Sequence, residues 1–300
     1  MEKIIDGILF EGKRLPDCWD VRTWETNGHR EVSINQAVQW TEVAHNFHAP
    51  DFRNSLSPER AVEWAEQDAA DFLERKERSL KKSAQRAQTM CRRIIKTEGF
   101  SELLTITYRE NQQDRAVSKL HFKLWVWKMR AALGGEFRYC ASFEKQERGA
   151  MHMHVACHRL PKHAVHKGVK IEGWKLGTAV WRSIVGKDNG LVFVGGKKSS
   201  FKSGKALKRS PAKMAAYVSK YILKDFADSP EEKNRYSRSN GSVLAKPTHV
   251  RLNGCTLSDA ISAVFQCADG DVIVSHRLGD FKDRYWLCTE RDTLNKKIPG

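Results

Sequence analysis

The sequence predicts an α+β protein built round a central antiparallel sheet, and three observations carry that reading. Two runs of period-two alternation, Phe137 to Phe143 and Met151 to Cys157, flank a short charged turn containing Gly149, which is a hairpin signal. Segments of helical period are interleaved with strand-like runs along the same stretch. No apolar run approaches the ~18 to 20 residues needed to span a bilayer, so no membrane segment is expected.

Composition narrows the class of partner. The chain has 300 residues, with Lys+Arg 52 against Asp+Glu 36, a formal charge of +16. Such an imbalance steers a protein toward polyanions and argues against a generic metabolic enzyme. The seven cysteines are odd in number, scattered and without a C-x-x-C pair. That suits free thiols in a reducing cytoplasm and disfavours a structural zinc module. The first residues include acids and no apolar block of signal-peptide length, so export is not expected.

In chain order, residues 1–56 carry Trp19, Trp24, Trp40, Phe47 and Phe52 among polar residues, with no long periodic segment. Ser57-Pro58 then reads as an N-cap and first-turn proline for a helix from about 58 to 95. Its acids lead (Glu59 to Glu74) and its bases follow (Arg75 to Arg93), which complements the helix dipole or supplies a basic end for phosphates. Leu103 to Tyr108 is a β-branched strand, followed by an amphipathic helix with Leu120, Leu124, Trp127 and Leu133 at helical spacing, stopped by Gly134-Gly135. After the hairpin come a helix around Thr178 to Val185, a strand Leu191 to Val194 and a helix from Pro211 to Lys224. Short strands beyond Gly241 include Val272 to Val274 and Tyr285 to Leu287. This divides the chain into 1–98, an accessory region with its long charged helix; 99–238, the central domain; and 239–300, a small β-rich appendage.

The chemistry concentrates on the hairpin. Period-two alternation puts His152, His154 and Ala156 on one face of their strand and Met151, Met153, Val155 and Cys157 on the other. A turn centred near Arg148 sets Ser142 opposite His154 and Glu144 opposite His152, and opposed residues share a face. Two imidazoles and one carboxylate then make a mixed N/O donor set with positions left for water or phosphate oxygen, suited to Mg²⁺ or Mn²⁺. Glu147, in the turn, is a fallback ligand of worse parity. Histidines on a strand are also commonly plain hydrogen-bonded residues.

The second cluster is a helix. Met214, Val218 and Ile222 form the stripe expected to be buried, and Tyr217, Lys220, Tyr221 and Lys224 the stripe beside it. A phenol needs a nearby cation or a polarised phosphate to act as nucleophile; otherwise Tyr and Lys simply snorkel at a helix rim. Just upstream, Lys197, Lys198, Lys202, Lys205, Lys208, Arg209 and Lys213 sit among Gly and Ser with no acid between them. That segment is either a solvated loop or a clamp for single-stranded DNA.

Leu104-Thr105-Ile106-Thr107-Tyr108, His152-Met153-His154 with an acid eight positions earlier, and Tyr217-Val218-Ser219-Lys220-Tyr221 together resemble the three ordered motifs of the HUH endonucleases. Most closely the chain resembles the two-tyrosine rolling-circle replication initiator (Rep) proteins of small DNA phages and plasmids, over roughly residues 100 to 226. The resemblance implies a ferredoxin-like or RRM-like nuclease domain in a prokaryotic cytoplasm. It implies a tyrosine that cuts one strand of single-stranded or supercoiled origin DNA, stays joined to the 5′ phosphate and leaves a 3′ hydroxyl primer. Either Tyr217 or Tyr221 could act first, with Lys220 and Lys224 assisting and Glu144, His152 and His154 holding the metal. Gly195-Gly196-Lys197-Lys198 lacks the spacing of a P-loop, so unwinding and synthesis are expected from a host helicase and polymerase. The rival readings are an HUH relaxase or transposase, and a non-catalytic RRM-like nucleic-acid-binding protein, which would need stacking aromatics on its sheet.

Overall fold

The computed structural model describes residues 1–5, 8–43, 57–195, 210–228, 231, 234–268, 270–278 and 284–290. The chain forms two compact units, Met1–Asp71 with Ala245–Gly300, and Phe72–Leu244. The long helix α1 (Pro58–Glu98) runs from one into the other; Ser57 Oγ accepts from Arg60 N at 3.4 Å, the N-cap its sequence predicts. No helix among the described residues is long and apolar enough to cross a membrane.

In the second unit, strands β4 (Glu102–Thr107), β5 (Tyr139–Lys145), β6 (Met151–Cys157), β9 (Leu191–Val194) and β10 (Tyr236–Arg238) form an antiparallel sheet of order β10-β5-β6-β4-β9. Helix α2 (Arg115–Ala132) links β4 to β5, and α3 (Gly173–Val185) precedes β9. The connectivity from β4 to β9 is therefore βαββαβ, elaborated by a separate hairpin of β7 (His163–His166) and β8 (Val169–Glu172) that sequence reading does not foresee. The β5–β6 turn includes Gly149 at φ +87, a conformation that costs a residue without Cβ least.

The two sheet faces divide by residue parity. Leu104, Ile106, Tyr139, Ala141, Phe143, Met151, Met153, Val155 and Cys157 pack with Phe122, Trp125 and Met129 of α2 and Val180 and Trp181 of α3. On the opposite face, Leu103, Cys140 and Ala156 pack with Cys91, Ile94 and Ile95 of α1 and Met214, Ala215, Val218 and Ile222 of α4 (Pro211–Asp228). Since helices cover both faces, every residue of β6 is buried, histidines included. The α2 stripe departs from expectation: Leu120, Leu124 and Trp127 are exposed, and Ser118, Phe122, Trp125, Val126 and Met129 are the buried set. Both stripes have helical spacing, and packing on the sheet selects the one holding Phe122 and Trp125.

The first unit corrects the division of the flanks. The residues before α1 are not helical: β1 (Glu2–Ile5), β2 (Ile8–Thr26) and β3 (His29–Glu42) form a meander. Nor is the C-terminal region a separate appendage, because β13 (Arg284–Glu290) pairs with β3 and β11 (Thr248–Asn253) with β2. With β12 (Asp271–Leu278) beside β13, both ends of the chain build one six-stranded antiparallel sheet. Helix α5 (Leu257–Gln266), opened by a Thr256–Asp259 capping box, places Ala260 in a core with Trp19, Val21, Val32, Ile34, Tyr285 and Leu287. The tryptophans Trp19 and Trp24 of the N-terminal region thus serve as buried structural residues.

Candidate active site

Register places the hairpin residues as the alternation predicts. Across β5 and β6, Ser142 pairs with His154 and Glu144 with His152; across β6 and β4, His154 pairs with Thr105 and His152 with Thr107. One sheet face therefore presents Glu144, His152 and His154 in two adjacent cross-strand rows, all three largely buried.

Helix α4 lies over these rows. Val218 faces the sheet, and Ser142 Oγ donates to the Val218 carbonyl at 2.9 Å, fastening the helix to β5 at its middle. One turn before its C-terminus, Asp225 is buried and held by Arg115 and Arg235. Buried charge of this kind is tolerable only when paired and hydrogen-bonded. Between these two anchors stand Tyr221 and Lys224, so their position over the sheet is over-determined. Sequence reasoning misses Ser142 and Asp225 as positioning residues; parity puts Ser142 on the right face, but nothing local reveals its carbonyl partner.

The contacts are close. The Tyr221 ring stacks on His154 with centroids 3.9 Å apart and planes at 12°. Tyr217 meets His154 edge-on at 5.6 Å and Tyr221 at 5.3 Å. Lys220 Nζ lies 4.7 Å from the Tyr217 centroid and 4.8 Å from that of Tyr221, a shared cation–π arrangement. Lys224 Nζ donates to Glu144 Oε1 at 2.5 Å, and Glu144 Oε2 is 2.8 Å from His154 Nε2. Both tyrosines and both lysines of the helix thus converge on the histidine face.

Electrostatics follow from that packing. Burial pushes the Glu144 carboxyl up, but the hydrogen bonds and charges of His154 and Lys224 outweigh it and hold the group at about 2. Glu144 is an anion at any ordinary pH. Burial drives the His154 imidazolium down, only partly offset by Glu144 and reinforced by Lys220 and Lys224, which favours the neutral ring that a metal ligand needs.

As a metal site the face is half assembled. Among the described residues no three His, Cys, Asp or Glu side chains are gathered round one point. Glu144 and His154 are in contact, however, and bonds of about 2.1 Å at right angles would set two donors about 3 Å apart, close to their separation. With His152 on the same face, the donor chemistry fits a divalent ion. Glu147 is exposed in the turn, off that face. Lys213 is exposed in the first turn of α4, whereas Lys197, Lys198, Lys202, Lys205, Lys208 and Arg209 lie outside the described residues.

Buried acid, neutral imidazole, two phenols and two ammonium groups in one cluster can bind a phosphodiester and offer it a nucleophile. Residues 101–226 match the family model for the replication-associated protein ORF2. The match supports kinship with replication initiators of the Rep type. It takes in every site residue from Thr105 to Asp225 and none of the six-stranded sheet. No curated protein and no solved structure matches the chain.

Proposed function

We propose that this protein initiates rolling-circle replication by nicking and rejoining one DNA strand through a tyrosine, in the manner of the two-tyrosine HUH nucleases. The observation that carries the proposal is the stacking of Tyr221 on His154 with Tyr217 edge-on to both, above the ionised Glu144. The βαββαβ connectivity, with outer strands β5 and β9 flanking β6 and β4, agrees with a ferredoxin-like frame for such a site.

In this reading a phosphodiester of single-stranded or melted origin DNA lies between the histidine face and α4. The oxygen of Tyr217 or Tyr221 attacks phosphorus, the phenol proton is lost to solvent or a basic neighbour, and the bond to the 3′ oxygen breaks. That oxygen takes up a proton and becomes the primer hydroxyl, while the 5′ phosphate remains esterified to the tyrosine. Lys220, exposed and poised over both rings, balances phosphate charge. Lys224 keeps Glu144 ionised. Glu144, His152 and His154 would hold Mg²⁺ or Mn²⁺, which supplies Lewis-acid polarisation of the phosphate. The second tyrosine would allow strand exchange and closure of a circle, because each phosphotyrosine bond conserves the energy of the bond broken.

The test is a nicking assay on supercoiled and single-stranded DNA carrying the replicon's origin. Relaxation with a protein-linked 5′ end is expected, and its loss in the Tyr217→Phe, Tyr221→Phe double variant. Undiminished nicking by the double variant, or by wild type in chelator-stripped buffer, would remove the nucleophile or the metal role respectively.

A further inference from the structure

The site face of the sheet does not stop at β4. Across β4 and β9, Thr105 pairs with Phe193 and Thr107 with Leu191. The two cross-strand rows therefore continue, one as Ser142–His154–Thr105–Phe193 and the other as Glu144–His152–Thr107–Leu191. Their ends differ in cover. Over β5 and β6 the face is closed by α4, but Phe193 is 51% exposed and Leu191 36%. Val192 between them points the other way, buried against Gly177 and Thr178 of α3, so the orientation of its neighbours is firmly set.

An aromatic face so exposed on an edge strand is unfavourable in water unless something covers it. Its occupant is indicated by what adjoins it. Neighbouring strands are about 4.8 Å apart, so Phe193 stands about 10 Å from His154 along one row, within reach of a base beside a phosphate seated there. Lys213 and Lys220 of α4 are exposed. The sequence joining β9 to α4 bears Lys197, Lys198, Lys202, Lys205, Lys208 and Arg209 without an acid. An apolar ring among cations is the combination that receives unpaired bases, whose π-faces stack on aromatics while cations track the backbone.

We propose that Phe193, floored by Leu191, is a stacking platform for an unpaired DNA base next to the scissile phosphate. The role rests on the nicking reading only for which phosphate is involved; the platform itself is a binding claim. It also supplies the sheet-face aromatic that Glu144, His152 and His154 cannot provide.

The experiment measures binding of the full chain carrying Tyr217→Phe and Tyr221→Phe, so that no cleavage intervenes, to a fluorescein-labelled single-stranded oligonucleotide of mixed sequence. Adding Phe193→Ala should weaken affinity roughly 5- to 150-fold, the span typical of alanine substitution at stacking aromatics, with the salt slope unchanged because no phosphate contact is removed. Phe193→Trp should bind within about twofold of the parent, and Phe193→Leu should resemble Ala, since it keeps apolar area but no π-face. Binding of a blunt duplex should be indifferent to all three. An Ala variant that binds the single strand like its parent, a Leu variant that restores binding, an equal loss on duplex, or a change in oligomeric state accompanying the loss would each overturn the platform. Covalent adduct formation by protein with both tyrosines intact separates the two claims. An adduct with normal binding by Phe193→Ala rejects the platform alone, and stacking loss without any adduct rejects the nickase alone.

Discussion

The two faces of the five-stranded sheet are made by the same strands and do different work. Odd positions of β5 and β6 and even positions of β4 build a continuous apolar layer against α2 and α3. The alternate positions give Thr105, Thr107, Ser142, Glu144, His152 and His154, which face α4 and have few apolar atoms to contribute. Period two thus separates stability from chemistry within a single sheet, at one-residue resolution. A face that carries chemistry should be replaceable with modest cost in folding and heavy cost in activity, and the opposite should hold on the other side.

The largest effect expected is on the apolar face. Trp125 is fully buried and its indole N–H donates to the Gly177 carbonyl at 3.0 Å, tying α2 to α3. Trp125→Ala should lower the stability of the second unit by about 3–5 kcal/mol in chemical denaturation, while the protein that remains folded nicks at close to the parental rate. Loss of activity without loss of stability would break the division. Next is His154→Ala on the polar face. It should slow nicking about 10²–10³-fold, as removal of one electrostatic contact to a reacting phosphate does, and leave DNA affinity largely intact. A variant equally slowed and equally unfolded would mean that the histidine is structural.

The smallest is Ser142→Ala, which removes the bond to the Val218 carbonyl. A loss of about 1 kcal/mol in stability is expected. Because Ser142 sits on the polar face but touches backbone only, it should also lower the nicking rate without changing the affinity for single-stranded DNA. A rate equal to the parent's would show that Asp225 and its two arginines alone seat the helix.

Where periodicity is local, the sequence already discloses the structure. The hairpin register, the His and Glu face and the two stripes of α4 all follow from offsets of two, three and four residues. The strands β2 and β3 are unreadable for the opposite reason. Their partners include β11 and β13, more than two hundred residues away, and the long β2 is interrupted by a register shift between Arg14 and Trp19 with Asp17 at φ +48. Helix α2 shows a third kind of difficulty. It has two stripes of equal spacing, and only the shape of the sheet beneath decides between Phe122 with Trp125 and Leu124 with Trp127. The positioning of Tyr221 by Ser142 and Asp225 is likewise tertiary and leaves no trace in spacing.

The division of the two faces matters only if the polar one performs the chemistry, and the tyrosines decide that. A single-stranded origin oligonucleotide, incubated with the full chain and Mg²⁺ or Mn²⁺ and then digested with protease, should yield a nucleotide-linked peptide. Fragmentation by mass spectrometry should place the phosphodiester on Tyr217 or Tyr221. A linkage on any other residue, or clean nicking with no protein-bound 5′ end, would contradict the assignment of α4 as the nucleophile helix.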